Sequence, residues 1–117
     1  MAEEKKNLTE AELGQFHGTE NHFPHWMGRI IFTEGVHYVA EKAGAYWLID
    51  AIASWQRKEP FQIWELQKHE GNKATLTMKE DTDEPVLVRQ EIPYTYFPLD
   101  HIRLYLVGRV LMLPSEY

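Results

Sequence analysis

The hydrophobic period of the chain changes halfway along it. Val36, Val39, Ala40 and Ala43 recur at spacings of three or four; past Gly44, Leu48, Ile52 and Trp55 form a second stripe with Ala45, Ile49 and Ala53 beside it. That spacing predicts two consecutive helices, or one kinked at Gly44, ending before Glu59-Pro60. Thr33 is placed to cap the first, and Glu34 puts a carboxylate in its first turn, where the helix dipole favours it. Further on, Phe61–Gln67, Ala74–Lys79 and Val86–Ile92 are short runs rich in β-formers, the middle one strictly alternating. The turn-rich links His69–Lys73 and Asp81–Pro85 are hairpin-sized, so neighbours should pair antiparallel. A further hairpin joins Ile102–Val107 to Val110–Leu113 about Gly108.

Upstream, Thr9 and Glu12 have capping-box spacing, with Leu8 and Leu13 at the staple positions, which predicts a short helix over Glu10–Phe16. Gly18–Asn21 reads as a loop into His22–Trp26, and the apolar run Arg29–Phe32 fits a strand or an extended lead-in equally well. Helices first and strands after predict an α+β domain: an antiparallel meander of about 4–5 strands with one face covered by the N-terminal helices. A chain of 117 residues suits one domain; residues 1–7 carry no apolar anchor beyond Met1 and Ala2 and read as a disordered tail, and 8–117 as the single domain.

Composition narrows the function classes. Twelve basic against eighteen acidic residues give a net charge of −6, which repels phosphate backbones, and the basic residues are scattered, so direct nucleic-acid binding is not expected. The absence of cysteine removes disulfides and thiolate metal sites. No apolar run reaches the roughly 18 residues of a membrane span, and the polar start MAEEKKN lacks a signal peptide's apolar region, so a cytoplasmic protein without membrane contact is expected. Phosphate-loop, zinc-protease, nucleophile-elbow and kinase motifs are all missing, and no cofactor is implied.

The strings Gly18-Thr19-Glu20, Gly44 to Ser54 (GAYWLIDAIAS), Phe97-Pro98-Leu99-Asp100 and the terminal Leu113-Pro114-Ser115-Glu116-Tyr117 resemble a family of small uncharacterised bacterial and phage-associated proteins described only as a domain of unknown function. The similarity runs from about Leu8 to Tyr117. It implies a prokaryotic, often mobile-element setting and carries over no catalytic residues.

Four groups of side chains are candidates for chemistry. His17, Glu20, His22 and His25 lie within nine residues; three imidazoles can hold zinc with Glu20 as base, although the spacing matches no tight ligand motif and turn capping beside Phe23 and Trp26 is the plainer reading. His37 and Glu41, four apart, could hydrogen-bond as a base and its orienter. Asp50 is hemmed by Trp47, Leu48, Ile49, Ala51 and Ile52, so partial burial would perturb it, unless it faces solvent near Ser54 or Arg57. Glu80, Asp81, Asp83 and Glu84 make an acidic hairpin tip suited to a basic groove, and Trp26, Trp47, Trp55 and Trp64 include candidate anchors, of which at least two should be core.

The resulting expectation is a non-enzymatic accessory protein of phage or mobile-element type. It would bind a host protein with a basic surface through Asp81, Asp83, Glu84 and Trp26, and modulate a host process such as defence by steric occlusion. The alternative is a small metal-dependent hydrolase built on His17, His22 and His25; a homo-oligomer is also compatible with the sequence.

Overall fold

The structure, a computed structural model, describes residues 8–17 and 21–117. The elements in chain order are α1 (Glu10–Leu13), β1 (His22–Pro24), β2 (Ile31–Thr33), α2 (Glu34–Ala43), α3 (Tyr46–Ser54), β3 (Phe61–His69), β4 (Lys73–Lys79), β5 (Val86–Ile92), β6 (His101–Val107), β7 (Val110–Met112) and a final 3₁₀ turn, Pro114–Glu116. The tail assigned to residues 1–7 and the candidate Glu20 lie outside the described residues.

The α+β class is as expected; the sheet is larger and differently ordered. Seven strands form one mixed sheet in the order β1-β2-β7-β6-β3-β4-β5. Two short strands come from segments read as loop or left open, because three residues are too few to show a period. His22–Pro24 pairs antiparallel with Ile31–Thr33, and β2 runs parallel to β7, with Ile31 opposite Val110 and Phe32 opposite Leu111. A pure meander would place β6 beside β5. Instead β6 returns to the other side of β3, where Trp64 faces Leu104 and Leu66 faces Ile102.

That register explains the choice. Buried Ile102, Leu104 and Leu106 come opposite the buried Leu66, Trp64 and Gln62, and on the other side of β3 the row continues through Leu76 and Met78. The helices supply the covering layer: Val36, Val39, Ala40, Ala43, Leu48, Ile49, Ile52 and Ala53 join these strand residues in one core. A side chain of this type fully removed from water contributes about 1.5–3 kcal/mol. The Trp64 indole donates to Gln62 at 2.8 Å and Gln62 in turn to the Glu59 carbonyl at 3.1 Å, so the buried polar pair is satisfied.

The helix boundaries follow local chemistry. Thr9 and Glu12 form the capping box, and α1 stops at Leu13, short of the expected Phe16, with Gly14 as its C-cap. Thr33 caps α2 through Val36, and Gly44 ends it in the left-handed conformation at φ 63°. The terminal LPSEY string is a clasp on that same helix start. Leu113 is buried, the Glu116 carboxylate accepts from Thr33 Oγ1 at 2.6 Å and from the Gly35 amide at 3.1 Å, and Tyr117 packs against Phe61 and Tyr105. Among the described residues no helix is long and apolar enough to cross a membrane.

Candidate functional site

The turn from β1 to β2 closes through His25 N–H to the Ile30 carbonyl at 3.0 Å, with Gly28 at φ 76° making the reversal. This buries the His25 ring and leaves the neighbouring Trp26 76% exposed. Helix α3 approaches the turn with Tyr46 and Asp50, four residues apart and so on one face. Asp50 Oδ1 lies 2.6 Å from His25 Nε2 and accepts from the Trp26 indole N–H at 3.0 Å. His25 Nδ1 accepts the Met27 amide at 3.2 Å, which places the ring proton on Nε2 and makes the imidazole a donor to Asp50. Pro24, His25, Trp26, Phe32, Tyr46 and Asp50 line a cavity of about 320 Å³.

This geometry holds a carboxylate beside an exposed indole. Both nitrogens of His25 are engaged, Nε2 with Asp50 and Nδ1 with the Met27 amide. Oδ1 of Asp50 already takes two donors, while Oδ2 has no hydrogen bond from the described residues and the side chain is 45% exposed. At the cavity rim Tyr46 donates to Glu41 at 2.6 Å; loss of solvent is the larger cause and this bond the second that push its phenol up to about 12. His37 is stacked on Phe23 at 4.4 Å and stands 3.8 Å from Glu41, too far for the expected base-and-orienter hydrogen bond. Asp50 bonds His25 and Trp26, whereas Ser54, one turn further along α3, bonds the Ala51 carbonyl and Arg57 bonds Glu59.

The model of a family of unknown function, DUF6876, matches residues 7–117. The chain is a member of DUF6876. No curated protein and no solved structure matches it. The segment from Gly44 to Ser54 has a physical content here: Gly44 turns the chain, Leu48, Ile49, Ile52 and Ala53 enter the core, and Tyr46 and Asp50 face the cavity.

The other predicted residues disperse. His17 and His22 are exposed while His25 is buried against Asp50, and among the described residues no three His, Asp or Glu side chains converge as a metal requires. Asp81, Asp83 and Glu84 stand exposed on the β4–β5 turn, which Asp81 stabilises by accepting the Thr82 amide at 2.7 Å. Trp26 and this tip belong to opposite lateral edges of the sheet, five strand spacings or about 24 Å apart. Of the tryptophans, Trp64 is fully buried, Trp47 packs partly buried on the core, and Trp55 and Trp26 are exposed. Sequence reasoning singled out His25, Trp26 and Asp50 separately and missed Tyr46, whose signal was its place four residues before Asp50.

Proposed function

We propose that this protein acts without catalysis, as a phage- or mobile-element-type accessory protein that docks on a host protein and occludes part of its surface. The observation that carries the reading is Trp26: a large aromatic, 76% exposed, yet tied through its indole N–H to Asp50, which the buried His25 holds from below. An anchor already fixed in place loses little entropy on binding, and tryptophan is the residue type most enriched at energetic centres of interfaces. The open oxygen of Asp50 beside it, with Glu41 bonded to the cavity-lining Tyr46, favours a basic side chain on the partner, and the charge of −6 supports the same polarity. The distant acidic tip acts at longer range, steering the encounter without entering the contact.

The test is affinity capture from a bacterial lysate, followed by titration of the purified partner. Trp26→Ala should keep the fold and weaken binding by at least about 2 kcal/mol, roughly thirtyfold, as loss of an anchor does. Asp50→Asn should weaken it mainly at low salt. Equal affinity of Trp26→Ala and the parent chain removes this face from the interface.

A further inference from the structure

β5 is the last strand of the sheet, so one side of Val86–Ile92 offers its backbone groups to no other strand among those described. Edges of this kind are ordinarily blunted, because they template pairing with another chain. Here the blunting is partial. Met78 pairs with Val88 and Lys79 with Val86, which leaves Leu87 as an extra residue and bends the strand there; Val88–Ile92 remains regular. The surface around this edge is also unusually apolar. Trp55, Val86, Leu87, Tyr94 and Tyr96 all lie on or beside β5, and they are five of the eight large apolar side chains exposed among the described residues. Trp55 is placed there by its indole N–H, which donates to Gln90 at 2.8 Å.

We infer that β5 pairs antiparallel with β5 of a second copy of this chain, about a two-fold axis through Gln90. The register follows by elimination. In a continuous sheet, opposed residues point to the same face, so a two-fold axis along this edge must pass through a residue. An axis through Arg89 opposes two arginines and one through Glu91 opposes two glutamates, and like charges directly opposed are unfavourable. An axis nearer either end leaves most of the edge unpaired. Through Gln90, Arg89 of each copy faces Glu91 of the other, and Val88 faces Ile92 on the helix-covered side, where both are buried within their own copy.

The flanks agree with the same axis: it brings Val86 and Leu87 of one copy towards Tyr94 and Pro93 of the other. Arg89 and Glu91 already approach within 3.2 Å inside one chain, with both side chains about two-thirds exposed, so pairing joins two such couples into a ring of alternating charge. The opposite edge cannot do the same, since β1 is three residues long and ends in Pro24. The dimer would carry a fourteen-stranded sheet with its two Trp26 sites at the outer edges, free to engage partners.

Sedimentation velocity over a range of concentrations tests this on the full chain. The parent protein should sediment at twice the chain mass. Arg89→Glu and Glu91→Arg should each weaken the dimer at least tenfold, with circular-dichroism spectra unchanged because both side chains are exposed and the fold of each copy is kept. The double variant R89E/E91R should dimerise again, since the swapped charges still face their opposites. Mixing the two single variants should give a heterodimer. A parent chain that stays monomeric at every concentration overturns the inference, as do single variants that dimerise like the parent or a double variant that stays monomeric.

Discussion

At the scale of single residues, Gly35 is tightly constrained. A Cβ there would stand 2.6 Å from Glu116 Oε1 and 2.7 Å from Leu113 Cδ1, closer than side-chain atoms approach without displacement. Glu116 sits at the start of α2, where its charge meets the helix dipole and its oxygens take the Thr33 hydroxyl and the Gly35 amide. Gly35→Ala should therefore cost about 1–3 kcal/mol, the usual scale for overpacking a buried contact. Urea denaturation measures it; a loss below about 0.5 kcal/mol would mean that Glu116 swings aside freely and the clasp holds nothing. His25 spends its acceptor on Met27 and its proton on Asp50, so its contribution is to position a carboxylate and, through it, an exposed indole.

At the scale of elements, α1 is too short to be stable alone and holds to the body through side chains. Tyr38 of α2 donates to Glu12 at 2.6 Å and Lys42 approaches the same carboxylate at 3.5 Å. The Tyr38 hydroxyl first, then the Thr9 amide, bring Glu12 from its ordinary 4.5 down to about 2, with burial opposing and Lys42 assisting. A carboxyl whose value is lower folded than unfolded contributes stability above the unfolded value and loses it as pH falls through the folded one. The gap in thermal stability between the parent and Glu12→Gln should hold steady above pH 4.5 and close as the pH approaches 2. A gap independent of pH would show that the ionised carboxylate is not what docks α1. Glu65 on β3 follows the same sign: burial raises it, but hydrogen bonds from Arg103 and His101 of β6 outweigh burial and hold it below the ordinary value.

At the scale of the whole molecule, the sheet separates two features that sequence proximity to a common function had joined. The acidic tip and Trp26 lie at opposite lateral edges, so their contributions to binding should separate in a kinetic experiment. Neutralising Asp81, Asp83 and Glu84 to Asn, Asn and Gln takes the net charge from −6 to −3, three carboxylates being lost. All three are exposed, and Asn at 81 keeps the acceptor for the Thr82 amide, so stability should change by less than about 0.5 kcal/mol. Against the captured partner the triple variant should associate more slowly and with a shallower salt dependence while dissociating at the parent rate. Surface plasmon resonance at two salt concentrations measures both. An unchanged association rate and salt slope would leave Trp26 and Asp50 to account for binding by themselves.

What the sequence determined is whatever neighbours along the chain decide among themselves. Thr9 with Glu12 and Thr33 with Val36 set helix starts over a few residues, and the run Val86–Ile92 shows its extended character in its own composition, so the starts of α1 and α2 and the span of β5 were legible to the residue, while α1 ends three residues before the expected Phe16. Strand order was not. Whether β6 joins β5 or β3 depends on which buried row completes a common face, and nothing in Ile102, Leu104 or Leu106 encodes that their partners are Leu66, Trp64 and Gln62. The strands β1 and β2 exist because each has a neighbour to bond, which three residues cannot announce. His25 and Asp50, 25 residues apart, and Thr33 and Glu116, 83 apart, meet only once the chain has closed. Their hydrogen bonds carry no local signal: a side chain can satisfy its polar atoms with any suitable partner, and only the tertiary structure brings one within 3 Å.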